Sequence, residues 1–224
     1  MCTLDKEKIK AVFFDYDNTL GNRYASAYNT YKEMIEEFHP ELQTDPVLVE
    51  SLLQDMTTYD QFGNIGTRYV LERIEKKYGI AFDREDPYRW WNDRHCQNAV
   101  LWDDTIPTLL KLKEKYKLGI ITNGDAYGQG TKVRITGLDK VVDDFIVSGD
   151  IGIHKPDKRI FEIACERLNV KADEAVYVGD TFGNDILGAV RAKMIPVWIW
   201  QDTVREMHSD IIRIQKLSEL LEIL

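Results

Sequence analysis

Four polar stretches of the sequence carry side chains that could take part in catalysis, and each lies beside a short apolar run or a predicted helix. They are residues 15–20, 122–125, 154–157 and 179–185. In an open parallel sheet, ligands bind beyond the carboxyl ends of the strands. If the apolar runs are strands of one such sheet, these stretches bring acids, hydroxyls and a lysine to one sheet edge.

Phosphoryl transfer explains this set of side chains. A carboxylate can attack phosphorus and form an aspartyl-phosphate, which divides one difficult displacement into two easier ones. Because the nucleophile and the substrate are both anions, a cation is required, and Mg²⁺ favours carboxylate, carbonyl and water oxygens. A second carboxyl can protonate the leaving alcohol and later activate water. A lysine, a hydroxyl and backbone N–H groups can stabilise the charge on the transferring group.

Short apolar runs alternate with segments of helical periodicity over residues 1–20 and 105–224. The runs cover residues 11–14, 118–122, 145–147, 175–178 and 196–200. Apolar residues repeat at helical spacing within 106–113 and 160–168, and Asp157 could cap the second of these helices. Strand–helix alternation with nearly continuous apolar strands predicts an α/β fold, a Rossmann-like parallel sheet with helices on both faces.

Residues 21–104 follow a different pattern. Helical periodicity occurs around residues 24–38, 47–56, 69–78 and 87–100, and no convincing strand separates them. The aromatic residues concentrated here favour a helical core of its own. We therefore predict an α/β domain of residues 1–20 and 105–224, with a helical domain of residues 21–104 inserted after the first strand.

The composition argues against several kinds of partner and cellular location. The net charge of −9 and the pI near 5.0 argue against a nucleic-acid polymer or an anionic membrane as a routine partner. The first ten residues are polar, without an apolar signal segment, and no apolar run approaches the length of a membrane span. The three cysteines are scattered, which suits a reducing cytoplasm. We expect a cytoplasmic protein, whose oligomeric state these residues do not indicate.

The four stretches together resemble the motifs of the haloacid dehalogenase-like (HAD) hydrolases. The matching residues are Asp15-Tyr16-Asp17-Asn18-Thr19, Thr122-Asn123-Gly124, Lys155-Pro156-Asp157, and Gly179-Asp180 with Asp185. Each motif alone is a weak signal, but all four occur in the family's order, each at a predicted strand end or helix start. The resemblance covers the α/β part, and the insertion lies where this family carries a helical cap domain.

The resemblance implies roles for the residues of these motifs. Asp15 is expected to be the nucleophile and a Mg²⁺ ligand, and Asp17 the general acid/base, with its backbone carbonyl on the metal. Thr122 is expected to hydrogen-bond the phosphoryl group, and Lys155 to balance the charge on nucleophile and phosphate. Asp180 is expected to bind the metal directly.

The remaining positions have less defined roles. Asp185 is expected to act on the metal site through water or by orienting Lys155. Tyr16, Asn123 and Gly124 are placed among the phosphate-binding positions, the Asn123 N–H donating to the phosphoryl group and Gly124 serving as a permissive backbone position.

Three other functions stay open. A 2-haloacid dehalogenase attacks carbon through the first aspartate, but such enzymes use no metal and lack the second aspartate, so the presence of Asp17 favours phosphate. A phosphomutase usually has a helping histidine soon after the first motif, and His39 is too far along to be an obvious match. A non-catalytic phosphate-binding module would not need an intact nucleophile, lysine and metal set.

The substrate class is predicted from two observations. Arg23 and Tyr24 lie where the chain enters the insertion, and they could face a bound ligand. Residues 121–125, followed by Gln129 and Lys132, resemble the subgroup that contains nucleoside 5′-monophosphatases and N-acylneuraminate phosphatases. We therefore expect a small phosphomonoester, either a nucleoside monophosphate or a sugar phosphate.

Overall fold

The computed structural model describes residues 5–63, 65–83, 86–200 and 210–224. The chain divides into two compact units: the core unit, residues 1–21 and 101–224, and the helical unit, residues 22–100. The side chains of Cys96 and Cys165 are buried, and Cys2 lies outside the described residues. Among the described residues, no helix combines the length and the apolar character that a membrane crossing requires.

The described residues of the core unit form a six-stranded parallel sheet. The strands are β1 (Ala11–Phe14), β2 (Lys117–Thr122), β3 (Asp144–Val147), β4 (Ala175–Gly179), β5 (Ile195–Ile199) and β6 (Ile212–Ile214). Their order is β3-β2-β1-β4-β5-β6, so the winding direction reverses beside β1. Phe14 of β1 lies opposite Ile120 of β2 and Val178 of β4. The carboxyl ends of β1, β2 and β4 therefore lie level at the switch point, where such sheets bind ligands.

Four α-helices make up the helical unit within its described residues. They are α1 (Arg23–Phe38), α2 (Pro46–Asp60), α3 (Thr67–Tyr78) and α4 (Pro87–Gln97). The side chains of Asn22, Asp45 and Asp86 cap the starts of α1, α2 and α4 by accepting backbone N–H groups. Tyr31, Leu52 and Val70, each fully buried, belong to one apolar cluster of this unit. The unit thus has a hydrophobic core of its own.

Helices cover both faces of the sheet in the core unit. They are α5 (Thr105–Lys113), α6 (Ala126–Ile135), α7 (Ser148–Ile151), α8 (Lys158–Arg167), α9 (Leu187–Arg191) and α10 (Leu220–Ile223). Alternate residues of β1 point to opposite faces. Phe14 therefore packs in a cluster with Leu109 of α5 and Val133 of α6, whereas Phe13 packs in a second cluster with Phe161 of α8. The predicted α/β fold class is confirmed.

The first five strands match the five apolar runs of the sequence to within about one residue at each end. The sixth strand, Ile212–Ile214, was not predicted. It has three residues, Arg213 interrupts its apolar character, and it pairs with one neighbour, β5. An edge strand of this length has too little periodicity to be recognised from sequence.

Candidate active site

Lys155 connects three side chains at the carboxyl ends of β1 and β4. Its Nζ donates to Asp15 Oδ1 at 2.6 Å, to Asp185 Oδ1 at 2.7 Å and to the Tyr177 hydroxyl at 3.0 Å. The Tyr177 hydroxyl also lies 3.0 Å from Asp185 Oδ1 and 3.1 Å from the Ile121 carbonyl. All four side chains are buried. The position of the Asp15 carboxylate is therefore determined by a network in which a buried cation has charged partners.

The sequence around each member explains its place in this network. Asp15 directly follows β1, and its N–H donates to the Val178 carbonyl of β4 at 2.9 Å, which extends the sheet pairing by one residue. The Asn123 side chain accepts from the Lys155 N–H at 2.8 Å and donates to the Lys155 carbonyl at 3.0 Å. Asp157 caps α8, as predicted, by accepting the Arg159 N–H. The second and third motifs are thereby joined through backbone and amide groups.

Three carboxylates converge beside Lys155. Oxygens of Asp15, Asp180 and Asp185 all lie within 4.8 Å of one another, and all three residues are buried. Gly179 permits this approach, because a Cβ at that position would lie 2.4 Å from the Asp185 Cβ. One lysine cannot neutralise three ionised carboxylates, and a hard divalent cation with oxygen ligands would complete the charge balance. The donor set therefore fits Mg²⁺.

The electrostatics of this cluster follow from burial. Burial raises the pKa of Asp15 well above its usual range, with Lys155 opposing and the neighbouring carboxylates adding to the effect. Burial, and next the charge on Asp185, raise the pKa of Asp180 to about 7. Burial alone would lower the pKa of Lys155, but Asp15 and Asp185 outweigh it and raise that pKa. Burial thus favours the protonated form of both Asp15 and Asp180.

Asp17 lies apart from that cluster, in contact with α6. Lys132 Nζ is 2.9 Å from each of its carboxylate oxygens, and Gln129 Nε2 is 3.0 Å from Oδ2. The Asp17 side chain is 24% exposed, more than the 10% of Asp15. The Asp17 side chain is therefore not a member of the carboxylate group around Asp15. Its expected contribution to the metal, through the backbone carbonyl, stays a prediction.

The second motif lies at the end of β2, where it contacts Gln129 and Ser148. Thr122 ends β2, and its hydroxyl accepts from Gln129 Nε2 at 2.6 Å. The Gly124 N–H donates to Ser148 Oγ at 3.0 Å, so it is bonded within the protein. Gly124 has a φ of +150°, and a Cβ there would lie 2.6 Å from Gln129 Cγ. Glycine is therefore required for both the backbone conformation and the approach of Gln129.

Three further predicted positions are placed differently. The Tyr16 side chain is buried in the core of its unit, against Gly21. Arg23 and Tyr24 belong to the helical unit, where Arg23 forms an ion pair with the buried Asp60 and Tyr24 is 46% exposed. Their roles in substrate binding stay predictions.

Two features of the site were not assigned from sequence. Tyr177 lies within an apolar strand and carries no signal that distinguishes it from a core residue. Gln129 and Lys132 were noted only for a subgroup resemblance. Gln129 and Lys132 are three residues apart in α6, which Asp125 caps, so both lie on one face of the helix. This spacing is the signal that could have indicated a shared partner.

Comparison with known proteins identifies the family of the chain. The family model for haloacid dehalogenase-like hydrolases matches residues 12–199. The chain is 32% identical to a glyceraldehyde 3-phosphate phosphatase of Methanothermobacter thermautotrophicus, covering 96% of this chain and 100% of that one. It is 28% identical to the human N-acylneuraminate-9-phosphatase, covering 96% and 92%.

A solved structure supports the same assignment. The crystal structure of a HAD phosphatase from Thermococcus onnurineus is 29% identical and superposes with a TM-score of 0.68, covering 96% of this chain and 97% of that one. The names of these relatives agree with the expectation of a phosphatase. The match over most of the chain shows that this protein belongs to the haloacid dehalogenase-like hydrolase family.

Proposed function

We propose that this protein is a Mg²⁺-dependent phosphohydrolase in which Asp15 attacks a small phosphomonoester. One observation carries the proposal: Asp15 Oδ1 is held by the buried Lys155 beside two further buried carboxylates. Within the described residues, Asp15 Oδ2 has no hydrogen-bond partner, so that oxygen is available as a nucleophile.

Asp15, Asp180 and Asp185 surround the position where the cation would bind. When bound, Mg²⁺ supplies positive charge that offsets the repulsion between Asp15 and the phosphate. Asp185 already shares one oxygen with Lys155 and Tyr177 and accepts the Thr181 N–H at 2.9 Å on the other. We therefore assign Asp185 mainly to the orientation of Lys155, and Asp15 and Asp180 to direct ligation.

The reaction proceeds in two displacements. In the first, Asp15 Oδ2 attacks phosphorus, the bond to the leaving oxygen breaks, and Asp17 gives its proton to that oxygen. In the second, Asp17 takes a proton from water as the water oxygen attacks the aspartyl-phosphate and the bond to Asp15 breaks. Lys155 and the Thr122 hydroxyl stabilise the charge on the phosphoryl group in both steps.

For the substrate we propose a small sugar phosphate, with glyceraldehyde 3-phosphate as the first candidate. Two of the relatives named above act, by their names, on glyceraldehyde 3-phosphate and on an N-acylneuraminate 9-phosphate, and further relatives share the first of these names. These names favour the sugar phosphate over the nucleoside monophosphate that the subgroup resemblance also allowed. We assign the selection of the leaving group to the helical unit, acting as a cap.

The test is a screen of phosphomonoesters with and without Mg²⁺, using the wild-type protein, Asp15→Asn and the control Asp139→Asn. Asp139 is exposed and remote in sequence from the motifs. We expect metal-dependent phosphate release that Asp15→Asn abolishes, because an amide is a poor nucleophile, and that Asp139→Asn leaves intact. Release that survives Asp15→Asn would contradict the proposal.

Products distinguish the rival functions when a 2-haloacid is added to the same screen. A phosphomutase would convert a sugar phosphate into an isomer that keeps its phosphate, and a dehalogenase would release halide from a 2-haloacid without metal. A non-catalytic module would bind phosphate without turnover. Each of these results would replace the phosphohydrolase assignment.

A further inference from the structure

Helix α6 presents two side chains to the carboxylate of Asp17. Lys132 Nζ lies 2.9 Å from both Asp17 oxygens, so the contact is bidentate. Gln129 Nε2 lies 3.0 Å from Oδ2 of the same carboxylate. One turn of helix thus contributes both a charged and a neutral donor to one acid.

Lys132 is a buried lysine whose charge must be compensated by a partner. Only 7% of its side chain is exposed, and a buried ammonium is unfavourable unless it is paired. The described contacts of its Nζ are the Asp17 carboxylate and the Tyr16 ring, whose centroid lies 5.7 Å away. The placement of Lys132 is therefore explained by Asp17.

Gln129 links Asp17 to the phosphate-binding motif. Its Nε2 also lies 2.6 Å from the Thr122 hydroxyl oxygen and 3.1 Å from the Asn123 carbonyl. An amide nitrogen carries two protons, so these three acceptors share them. The position of the Asp17 carboxylate is thus coupled to the residues expected to hold the phosphoryl group.

We propose that Lys132 and Gln129 are positioning residues for proton transfer by Asp17, an inference that rests on the proposed phosphohydrolase activity. They hold the Asp17 carboxyl beside Thr122 and Asn123, within reach of the leaving oxygen. As the bond between phosphorus and that oxygen breaks, the oxygen keeps the electron pair and takes the Asp17 proton. The resulting Asp17 carboxylate can accept hydrogen bonds from Lys132 and Gln129, and it takes a proton from water in the next step.

Leaving-group dependence separates this role from a purely structural one. An alkoxide needs a proton to depart, whereas p-nitrophenolate departs readily without one. The ratio kcat/KM reports the steps up to departure of the leaving group, before water attacks. A defect in acid catalysis must therefore lower kcat/KM for an alkyl phosphate more than for p-nitrophenyl phosphate.

The experiment measures kcat/KM for the fastest alkyl phosphate of the screen, glyceraldehyde 3-phosphate as first choice, and for p-nitrophenyl phosphate. The variants are Lys132→Met, Gln129→Leu, Lys132→Arg and the matched control Lys140→Met, an exposed lysine of the same unit. We expect the alkyl-to-aryl ratio to fall about tenfold to a hundredfold in Lys132→Met. Gln129→Leu should show a smaller fall, Lys132→Arg a partial recovery, and Lys140→Met no change.

The opposite result is equally clear. If Lys132→Met and Gln129→Leu lower kcat/KM by the same factor for both substrates, the two residues only maintain the fold, and the positioning role is wrong. If Lys132→Met does not fold, Gln129→Leu and Lys132→Arg decide in the same way. Because Asp15→Asn is measured beside them, a failure of the phosphohydrolase assignment is recognised separately, as activity that survives that substitution.

Discussion

Two lysine–aspartate pairs of the core unit, Lys155 with Asp15 and Lys132 with Asp17, differ in burial and in the elements that supply them. The Asp15 side chain is 10% exposed, and its lysine also binds Asp185 and Tyr177. The Asp17 side chain is 24% exposed, and its lysine lies on a helix together with Gln129. The first pair fixes the proposed nucleophile within a buried network, whereas the second holds the proposed acid, which is more accessible.

The difference indicates how one motif could provide for the two proposed tasks. Asp15 and Asp17 are two residues apart, yet the sheet core determines the surroundings of the first and α6 those of the second. A nucleophile benefits from one fixed geometry. An acid that exchanges protons with substrate and water needs access to both. Damage to the first pair should therefore affect folding and catalysis together, and damage to the second mainly proton transfer.

The largest expected effect follows from removing the positive charge of Lys155, which Asp15 and Asp185 share. Lys155→Met leaves Asp15 and Asp185 buried without it, so we expect kcat/KM to fall by about a thousandfold or more. The free energy of unfolding should fall by about 3 kcal/mol, because a broken buried pair leaves uncompensated charge. Urea denaturation and steady-state kinetics measure the two quantities.

Lys132→Met is the matched comparison for stability. Because Asp17 keeps contact with solvent, we expect Lys132→Met to lower the free energy of unfolding by about 1 kcal/mol or less. Equal losses of stability in the two lysine variants would contradict the distinction between the two pairs.

The second prediction concerns pH and Mg²⁺. The pKa of Asp180 is raised to about 7 by burial, so between its unfolded value and about 7 the folded protein binds more protons than the unfolded chain. Without metal, this group therefore lowers stability as pH rises through that window. Since Mg²⁺ binds the ionised carboxylates, its stabilising effect should grow from about pH 5.5 to about pH 8.

Thermal unfolding with and without Mg²⁺ at both pH values measures this effect. At a metal concentration of about 100 times Kd, the gain should approach 2.7 kcal/mol at the higher pH. Asp180→Asn should remove most of the gain, whereas Asp17→Asn should retain most of it. A gain that is independent of pH would count against the carboxylate cluster as the binding site.

A smaller effect is expected at the connection between the second and third motifs. Asn123→Ala removes both hydrogen bonds to the Lys155 backbone, at 2.8 and 3.0 Å. We expect a loss of about 1–2 kcal/mol in the free energy of unfolding, with a fall in kcat that exceeds any rise in KM. Asn98→Ala, an amide of the helical unit, is the control and should leave kcat unchanged.

The smallest expected effect is at Tyr177. Tyr177→Phe keeps the ring, which packs edge-on against Phe161 with centroids 4.9 Å apart, and removes the hydroxyl between Lys155 and Asp185. Lys155 keeps two charged partners, so we expect a loss of about 1 kcal/mol and less than a tenfold fall in kcat/KM. A loss as large as that of Lys155→Met would show that the hydroxyl has a direct part in the reaction.

Much of the fold was predictable because its signals are local. The apolar runs that become β1, β2, β3, β4 and β5 are bounded by polar residues, and the helical periodicity between them is clear. The sixth strand was missed because three residues carry no period. The family was recognised from four short motifs, and the match over residues 12–199 agrees with them.

The sequence by itself determined which residues reach the sheet edge, because the strand ends and their polar successors are encoded in neighbouring residues. Only the tertiary structure decided which side chains pair with one another at that edge. Lys155 and Asp15 are 140 residues apart in the chain, and Lys132 and Asp17 are 115 apart. Such pairings depend on strand order, register and the face that a helix presents, and these are set by the packing of the whole core rather than by any local pattern.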